Sequence, residues 1–252
     1  MFAQGHVTDG FSCFLVADLG RLARLHARLL AAGDDQGPVA GEELCRTCVE
    51  ALPIDGAAIS MMVDEGRRGT VATSDAVADR IEHLQFGLGE GPCIESFTTR
   101  RPVLVADWAD ESWRWPAFAD GLEAGSVGAI FALPLQIGAI TIGVLDLYRT
   151  TPGPLDSALG DALLAADTVT LAVLDAHERG PGDDGGPGEE RFSIPLSQTE
   201  IHVYQATGLI SGELEVSLEE AFARLRAHAF AHNRLVGDTA RDILTRRLRL
   251  DD

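Results

Sequence analysis

Val127-Gly-Ala-Ile-Phe-Ala-Leu-Pro-Leu-Gln136 runs through Ile137-Gly138 into Ala139-Ile-Thr-Ile-Gly-Val-Leu-Asp-Leu-Tyr148, and this pair of segments decides the fold class. Each half has strand length and is rich in branched and aromatic residues, with a glycine at the join, so a hairpin is expected. Both strands are too apolar for an exposed edge, which places the hairpin at the centre of a sheet. Pro134 cannot donate to a ladder and is expected near a strand end.

Working outward, the chain from about Val39 reads as helix, strand, strand, helix, loop, strand, helix, strand, strand, helix. Leu44, Cys45, Cys48, Val49 and Leu52 share one face of the first helix. Cys45-x-x-Cys48 therefore reads as core packing, since no second Cys or His pair stands nearby to complete tetrahedral ligation. Ala57–Val63 and Thr70–Ser74 flank Asp64-Glu-Gly-Arg-Arg-Gly69, a loop suited to a hairpin. Asp75 can cap a helix running to about His83. After the central hairpin, Leu155, Leu159, Leu163, Ala166, Thr170 and Leu174 recur in steps of three and four, which predicts a long amphipathic helix over 155–176.

Gly87-Leu-Gly-Glu-Gly-Pro-Cys93 and Leu133-Pro-Leu…Gly143-Val-Leu-Asp-Leu give residues 39–176 a resemblance to GAF sensor domains. The resemblance implies an α/β sandwich around a six-stranded antiparallel sheet, with a small-molecule pocket roofed by helices and loops on one face. Phe86, Cys93, Trp108, Trp115 and Phe118 are the candidate lining of that pocket. Cys93 is either a redox-active thiol or part of loop packing. Trp108, Trp113, Trp115 and Phe118 either wall the pocket or form an aromatic lid on a core. No cyclic-nucleotide signature is present, and no Cys or His is assignable to a chromophore or haem, so the cofactor stays unknown. Gly87-x-Gly89-x-Gly91 is a weak phosphate signal, because Pro92 removes a donor N–H. No nucleophile elbow, zinc-protease motif, phosphate-binding loop or dinucleotide fingerprint occurs, so no catalytic residue is named and the chain reads as a non-enzyme.

The C-terminal quarter predicts three helices. Leu218, Ala221, Phe222, Leu225 and Ala229 form one apolar face, while Val236, Ala240, Ile243, Leu244 and Leu248 form another. Ser217 with Glu220, and Ser197 with Glu200, have the form of capping boxes, and Gly212 and Asn233 are expected to stop the first two helices. Ala206-x-Gly208-Leu-Ile, Glu220-Ala-Phe222, Leu225-Arg226-x-x-Ala229-x-x-x-Asn233-Arg234 and Thr239-Ala240-Arg-x-Ile243-Leu244 resemble the ANTAR domain of antitermination regulators. That resemblance implies a three-helix bundle that binds hairpin loops in nascent leader transcripts as a homodimer. Its candidate RNA contacts are Gln205, Thr207, Arg224, Arg226, Asn233, Arg234, Arg241 and Arg246. The family usually has Lys where this chain has Thr207.

The net charge of −19 argues against bulk electrostatic binding to nucleic acid. Over 192–250, however, seven acids and seven arginines cancel, and arginine suits bidentate phosphate contacts and base stacking. Leu15, Leu22 and Leu29 repeat at seven-residue spacing over a helix expected at 11–30, which would pair with a second subunit or pack on the next domain. The expected organisation is an N-terminal helical segment (1–35), a GAF-like domain (36–177), a glycine-, proline- and acid-rich linker (178–195) that interrupts any continuous signalling helix, and an ANTAR-like domain (196–250). No run of about 18 apolar residues is expected to exist for a membrane span, and four cysteines make no disulfide framework, so a cytoplasmic regulator is expected. The alternative is a protein-interaction module whose bundle no longer binds RNA.

Overall fold

The computed structural model describes residues 39–64, 67–178, 198–232 and 234–250, with residues 24, 27–29 and 31 before them. The predicted linker 179–191, Ser197, Asn233 and most of the helix expected at 11–30 lie outside the described residues. Of that helix, Leu29 is buried against the core and Arg28 pairs with Glu50.

The element order is α1 (Val39–Ala51), β1 (Gly56–Asp64), β2 (Arg67–Thr73), α2 (Ala76–Leu88), α3 (Pro92–Thr99), β3 (Val103–Val105), α4 (Trp108–Glu111), α5 (Pro116–Gly121), β4 (Ala129–Ile137), β5 (Ile140–Arg149), α6 (Leu159–Glu178), α7 (Gln198–Leu214), α8 (Leu218–Ala231) and α9 (Val236–Leu244). The strands form an antiparallel sheet in the order β2-β1-β5-β4-β3. The expected central hairpin is thus β4–β5. Five strands are present among the described residues, where six were expected from the family resemblance. Pro134 is not at a strand end. It pairs with Val144, two residues beyond Ala132, where β3 stops, so the proline lies on a stretch of β4 with one open edge.

Alternation along the strands separates two cores. Ile59, Met61, Phe131, Leu133, Leu135, Leu145 and Leu147 face α1 and α6, where they meet the buried Cys45 and Cys48. Ala58, Ile130, Ala132, Val144 and Tyr148 face α2, α3 and the aromatic residues of α4 and α5. The CxxC pair is core packing, as expected. Burial pushes the Cys48 thiol up to about 12 and Cys45 well above its usual range.

Helix α2 starts where expected, with the Asp75 carboxylate accepting from the Val77 and Ala78 amides, but it continues five residues past His83. Gly89, at φ 69°, ends it in a left-handed cap. On α6, Ala162, Ala165, Val169 and Ala172 are buried, while Leu163 of the expected apolar face points outward at 40% exposure, as does Leu171, which is not part of that face, at 54%. Over Asp156–Leu174 the mean hydropathy is 1.5, long and apolar enough to cross a membrane, which corrects the expectation that no such run exists. Half of that window is buried within the fold, where α6 serves as a core helix.

The three C-terminal helices share their own core of Val203, Ala206, Ile210, Ala221, Leu225, Ala229, Val236, Ala240 and Ile243. Gly212 does not stop α7. Glu215 adopts φ 55° after the helix, and the Ser211 hydroxyl donates to the Val216 carbonyl across the turn. Ser217 caps α8 by accepting from the Glu220 amide, whereas Leu218 is 60% exposed and leaves the predicted face. Helix α9 ends at Leu244, short of the expected Leu248.

Candidate functional site

On the face of the sheet opposite α1 and α6, strand alternation brings Ser60 of β1 and Asp146 of β5 under α2. There the helical repeat presents Glu82 and Gln85 to them, and the start of α3 adds Cys93. All five are buried, at no more than 4% exposure. One oxygen of Glu82 accepts from the Ser60 hydroxyl and the other from the Gln85 amide at 3.1 Å. The Gln85 carbonyl in turn accepts from the Cys93 amide at 2.8 Å, which ties the glycine turn to α2. Gly91 is required in this turn. Its φ is 139°, and a Cβ there would come within 2.5 Å of Gln85.

Asp146 sits at the centre. The ligand-forming atoms of Glu82, Cys93 and Asp146 lie within 4.8 Å of one another. Among the described residues no donor meets either Asp146 oxygen in ordinary hydrogen-bond geometry, although the Cys93 thiol and Gln85 amide lie near it. Burial holds its carboxyl well above the usual range, and the nearby Glu82 raises it further, while the Cys93 thiol and Gln85 amide pull partly back. Small cavities of about 10 Å³ flank the cluster. One is bounded by Ser60, Thr70, Cys93 and Glu200, the other by Ala58, Ile81 and Tyr148. Each has room for about one water molecule.

The residues chosen from sequence as pocket lining separate. Cys93 joins the buried cluster. Trp108 and Trp115 stack at 6.0 Å, and Phe118 meets Trp108 edge-on at 5.4 Å. Trp115 and Phe118 are buried in the core beneath α4 and α5, so the aromatic group is a core lid. Trp113 is 76% exposed and stands outside it. Phe86 belongs to neither. It packs edge-on against Tyr204 at 5.9 Å and at a tilt against Phe222 at 6.1 Å, and so seats the helical bundle on α2. Around it, Arg226 donates to the Leu88 carbonyl at 3.3 Å and the Glu200 carboxylate accepts from the Thr70 amide at 2.6 Å. Gly87 lets the bundle approach closely, since a Cβ there would stand a tight 3.0 Å from the Val236 methyl. Glu200 thus ties the bundle to β2, where the sequence suggested the second half of a capping box.

The RNA-contact candidates are spread unevenly. Gln205 is exposed. Thr207 is buried, and its hydroxyl donates to the Val203 carbonyl at 2.7 Å, so in this arrangement it packs and offers no phosphate contact. Arg224, Arg234 and Arg241 pair with Glu220, Asp242 and Asp238. Arg226 lies over the Phe222 ring as well as reaching Leu88. Arg246 is exposed beyond α9, as are Arg247 and Arg249. His228 and His232 stack at 4.1 Å, with His232 Nδ1 against the His228 carbonyl.

Sequence reasoning missed Ser60, Glu82, Gln85 and Asp146. A signal was present. Asp146 interrupts an apolar strand, and Glu82 and Gln85 share a helical face with Ala78 and Ile81.

No curated relative matches the chain in sequence. Its fold is similar to the GAF domain from a phosphoenolpyruvate-protein phosphotransferase of Coxiella burnetii, at 18% identity and TM-score 0.50, covering 64% of this chain and 95% of that one. The corresponding GAF domain from Acinetobacter aligns at 15% identity and TM-score 0.49, covering 66% and 98%. Free methionine-R-sulfoxide reductase from Neisseria meningitidis aligns at 12% identity and TM-score 0.48, covering 71% and 100%. The sequence profile of the GAF domain matches residues 40–173, more than half of the chain. With that match on the strands and helices that enclose the buried cluster, the chain belongs to the GAF domain family.

Proposed function

We propose that the protein is a cytoplasmic, non-enzymatic transcriptional regulator in which the GAF domain senses a small ligand and the C-terminal bundle binds hairpin RNA in nascent transcripts, acting by antitermination as a homodimer. The observation that carries this reading is a three-helix bundle with its own core, seated on the sensor through Phe86. The ANTAR resemblance of residues 206–244 supports the RNA half. Docking supports direct coupling, because the same helix, α2, carries Glu82 and Gln85 inward and Phe86 outward to the bundle. The interface includes Arg226, so a change in docking would alter the presentation of that side chain.

A gel shift of the full chain on paired hairpin RNAs, at low and at physiological salt, tests the reading. Salt-sensitive binding that weakens in an Arg246→Ala, Arg247→Ala double variant is expected. Absence of binding at low salt refutes the RNA half. The second reading, a signalling module that binds a protein, is favoured by the pairing of Arg224, Arg234 and Arg241 within the bundle and by the burial of Thr207. It is the outcome left standing by a negative gel shift.

A further inference from the structure

We propose that Glu82, Cys93 and Asp146 form a binding site for one divalent transition-metal ion of borderline softness, of the Zn²⁺ or Fe²⁺ class, held between the sheet and α2. This deepens the sensing half of the reading above by naming a ligand class, and it does not depend on the RNA half. Three donor atoms from separate elements, β5, α2 and α3, converge within 4.8 Å. Ligands about 2.0–2.3 Å from a common ion lie some 3–4 Å apart, so small side-chain rotations suffice to close the set.

The central donor independently indicates a ligand. Asp146 is 4% exposed, and although the Cys93 thiol and Gln85 amide lie near it, among the described residues neither oxygen has a donor in ordinary hydrogen-bond geometry. Its cross-strand neighbours are Ala58 and Ala132, whose side chains can donate nothing. A buried carboxylate in that setting is costly unless a cation or proton meets it.

The chemistry of the set narrows the ion. Two carboxylates and one thiol mix hard and soft donors. Mg²⁺ and Ca²⁺ prefer all-oxygen shells, whereas a thiolate favours Zn²⁺ or Fe²⁺. On binding, metal–ligand bonds replace the Cys93 S–H bond and any O–H bond of the Asp146 carboxyl, the protons these groups held leave to solvent, and nothing is oxidised or reduced. Ser60 and Gln85 already orient Glu82, and Gln85 orients the turn carrying Cys93, the role outer partners have at metal sites. The adjoining cavity of about 10 Å³ can hold one water as a fourth ligand. Glu200 of the docked bundle bounds that cavity, so occupancy would act beside the contact that joins the two parts of the chain.

The test uses the full chain, stripped with a chelator and titrated with Co²⁺. One Co²⁺ per chain is expected, with a thiolate-to-metal charge-transfer band in the near ultraviolet. Zn²⁺ in equimolar amounts should erase the band and millimolar Mg²⁺ should not. Cys93→Ser should lose the band, and Asp146→Asn and Glu82→Gln should each weaken binding at least tenfold, with far-ultraviolet circular dichroism confirming that each variant is folded. Wild-type protein without the band, a band that persists in Cys93→Ser, or unchanged affinity in both carboxamide variants would each overturn the proposal. Should Cys93→Ser fail to fold, the two carboxamide variants decide it. Gel shifts on the same samples fail or succeed separately from metal binding.

Discussion

Cys48 illustrates how burial outweighs sequence pattern at the residue scale. Its C-x-x-C spacing is that of reactive and metal-binding pairs, yet burial pushes the thiol to about 12, and a thiol is nucleophilic only as its anion. Iodoacetamide at pH 8 should therefore leave Cys45 and Cys48 unmodified in native protein and label both in denaturant, read by mass spectrometry. Asp55 shows the opposite effect. The Thr150 amide and hydroxyl both donate to its carboxylate at 2.7 Å and hold its pKa below the usual value. A depressed folded-state pKa contributes stability above the unfolded-state pKa and loses it as pH falls through the folded value. The melting temperature of Asp55→Asn should accordingly lie below that of wild type at pH 7, with the gap closing on acidification toward pH 2. A gap that widens in acid would contradict this assignment.

At the scale of elements, α7 and α2 both depart from the boundaries their sequences indicate, for a common reason. A glycine ends a helix only if the chain must turn there. Gly212 lies where a Cβ would meet nothing, and α7 runs on through it for the sake of the apolar face it shares with α8 and α9. The turn then falls on Glu215 in the left-handed region, at a cost of roughly 1–2 kcal/mol for a residue with a Cβ. Glu215→Gly should raise unfolding stability by about 1 kcal/mol in urea titration. A decrease would mean that the Glu215 side chain makes a contact worth more than the strain. Helix α2 extends past His83 because its last turn gains Phe86 as the seat of the bundle. Phe86→Ala removes that seat and should cost about 3 kcal/mol or more if the bundle unfolds together with the sensor. If the two parts unfold independently, the loss should appear mainly as faster proteolysis at the edges of α8. Hydrogen exchange over 198–250 separates these outcomes.

For the whole molecule, the charge argument changes form. A chain of net charge −19 can bind a polyanion only through a local surface, and Arg246, Arg247 and Arg249 form the exposed cluster while Arg224, Arg234 and Arg241 are paired on the bundle. Exposed ion pairs are worth at most about 1 kcal/mol each, so phosphate could displace them, but only weakly. If three arginines engage single-stranded loops, the slope of log K against log salt should be about −2. A slope near −4 would mean that the three paired arginines also engage, and a zero slope would remove the electrostatic reading. Dimerisation belongs to this scale as well. Leu163 and Leu171 present apolar surface on α6, and sedimentation velocity of Leu171→Glu against wild type should register a lighter species if that face joins two copies.

Periodicity and turn chemistry alone determined the central position of the β4–β5 hairpin, the core role of the CxxC pair, the Asp75 and Ser217 caps and the existence of three C-terminal helices, because each depends on neighbours within a few residues. The GAF identity was legible in Gly87–Cys93 and Gly143–Leu147 for the same reason. Only the tertiary structure decided that Phe86 leaves the expected pocket for the bundle, that Trp115 and Phe118 are core, and that Thr207 is buried. It also decided that Ser60, Glu82, Cys93 and Asp146 meet. Those four lie on four different elements, and strand order and helix docking, which no local pattern encodes, bring them into one buried cluster.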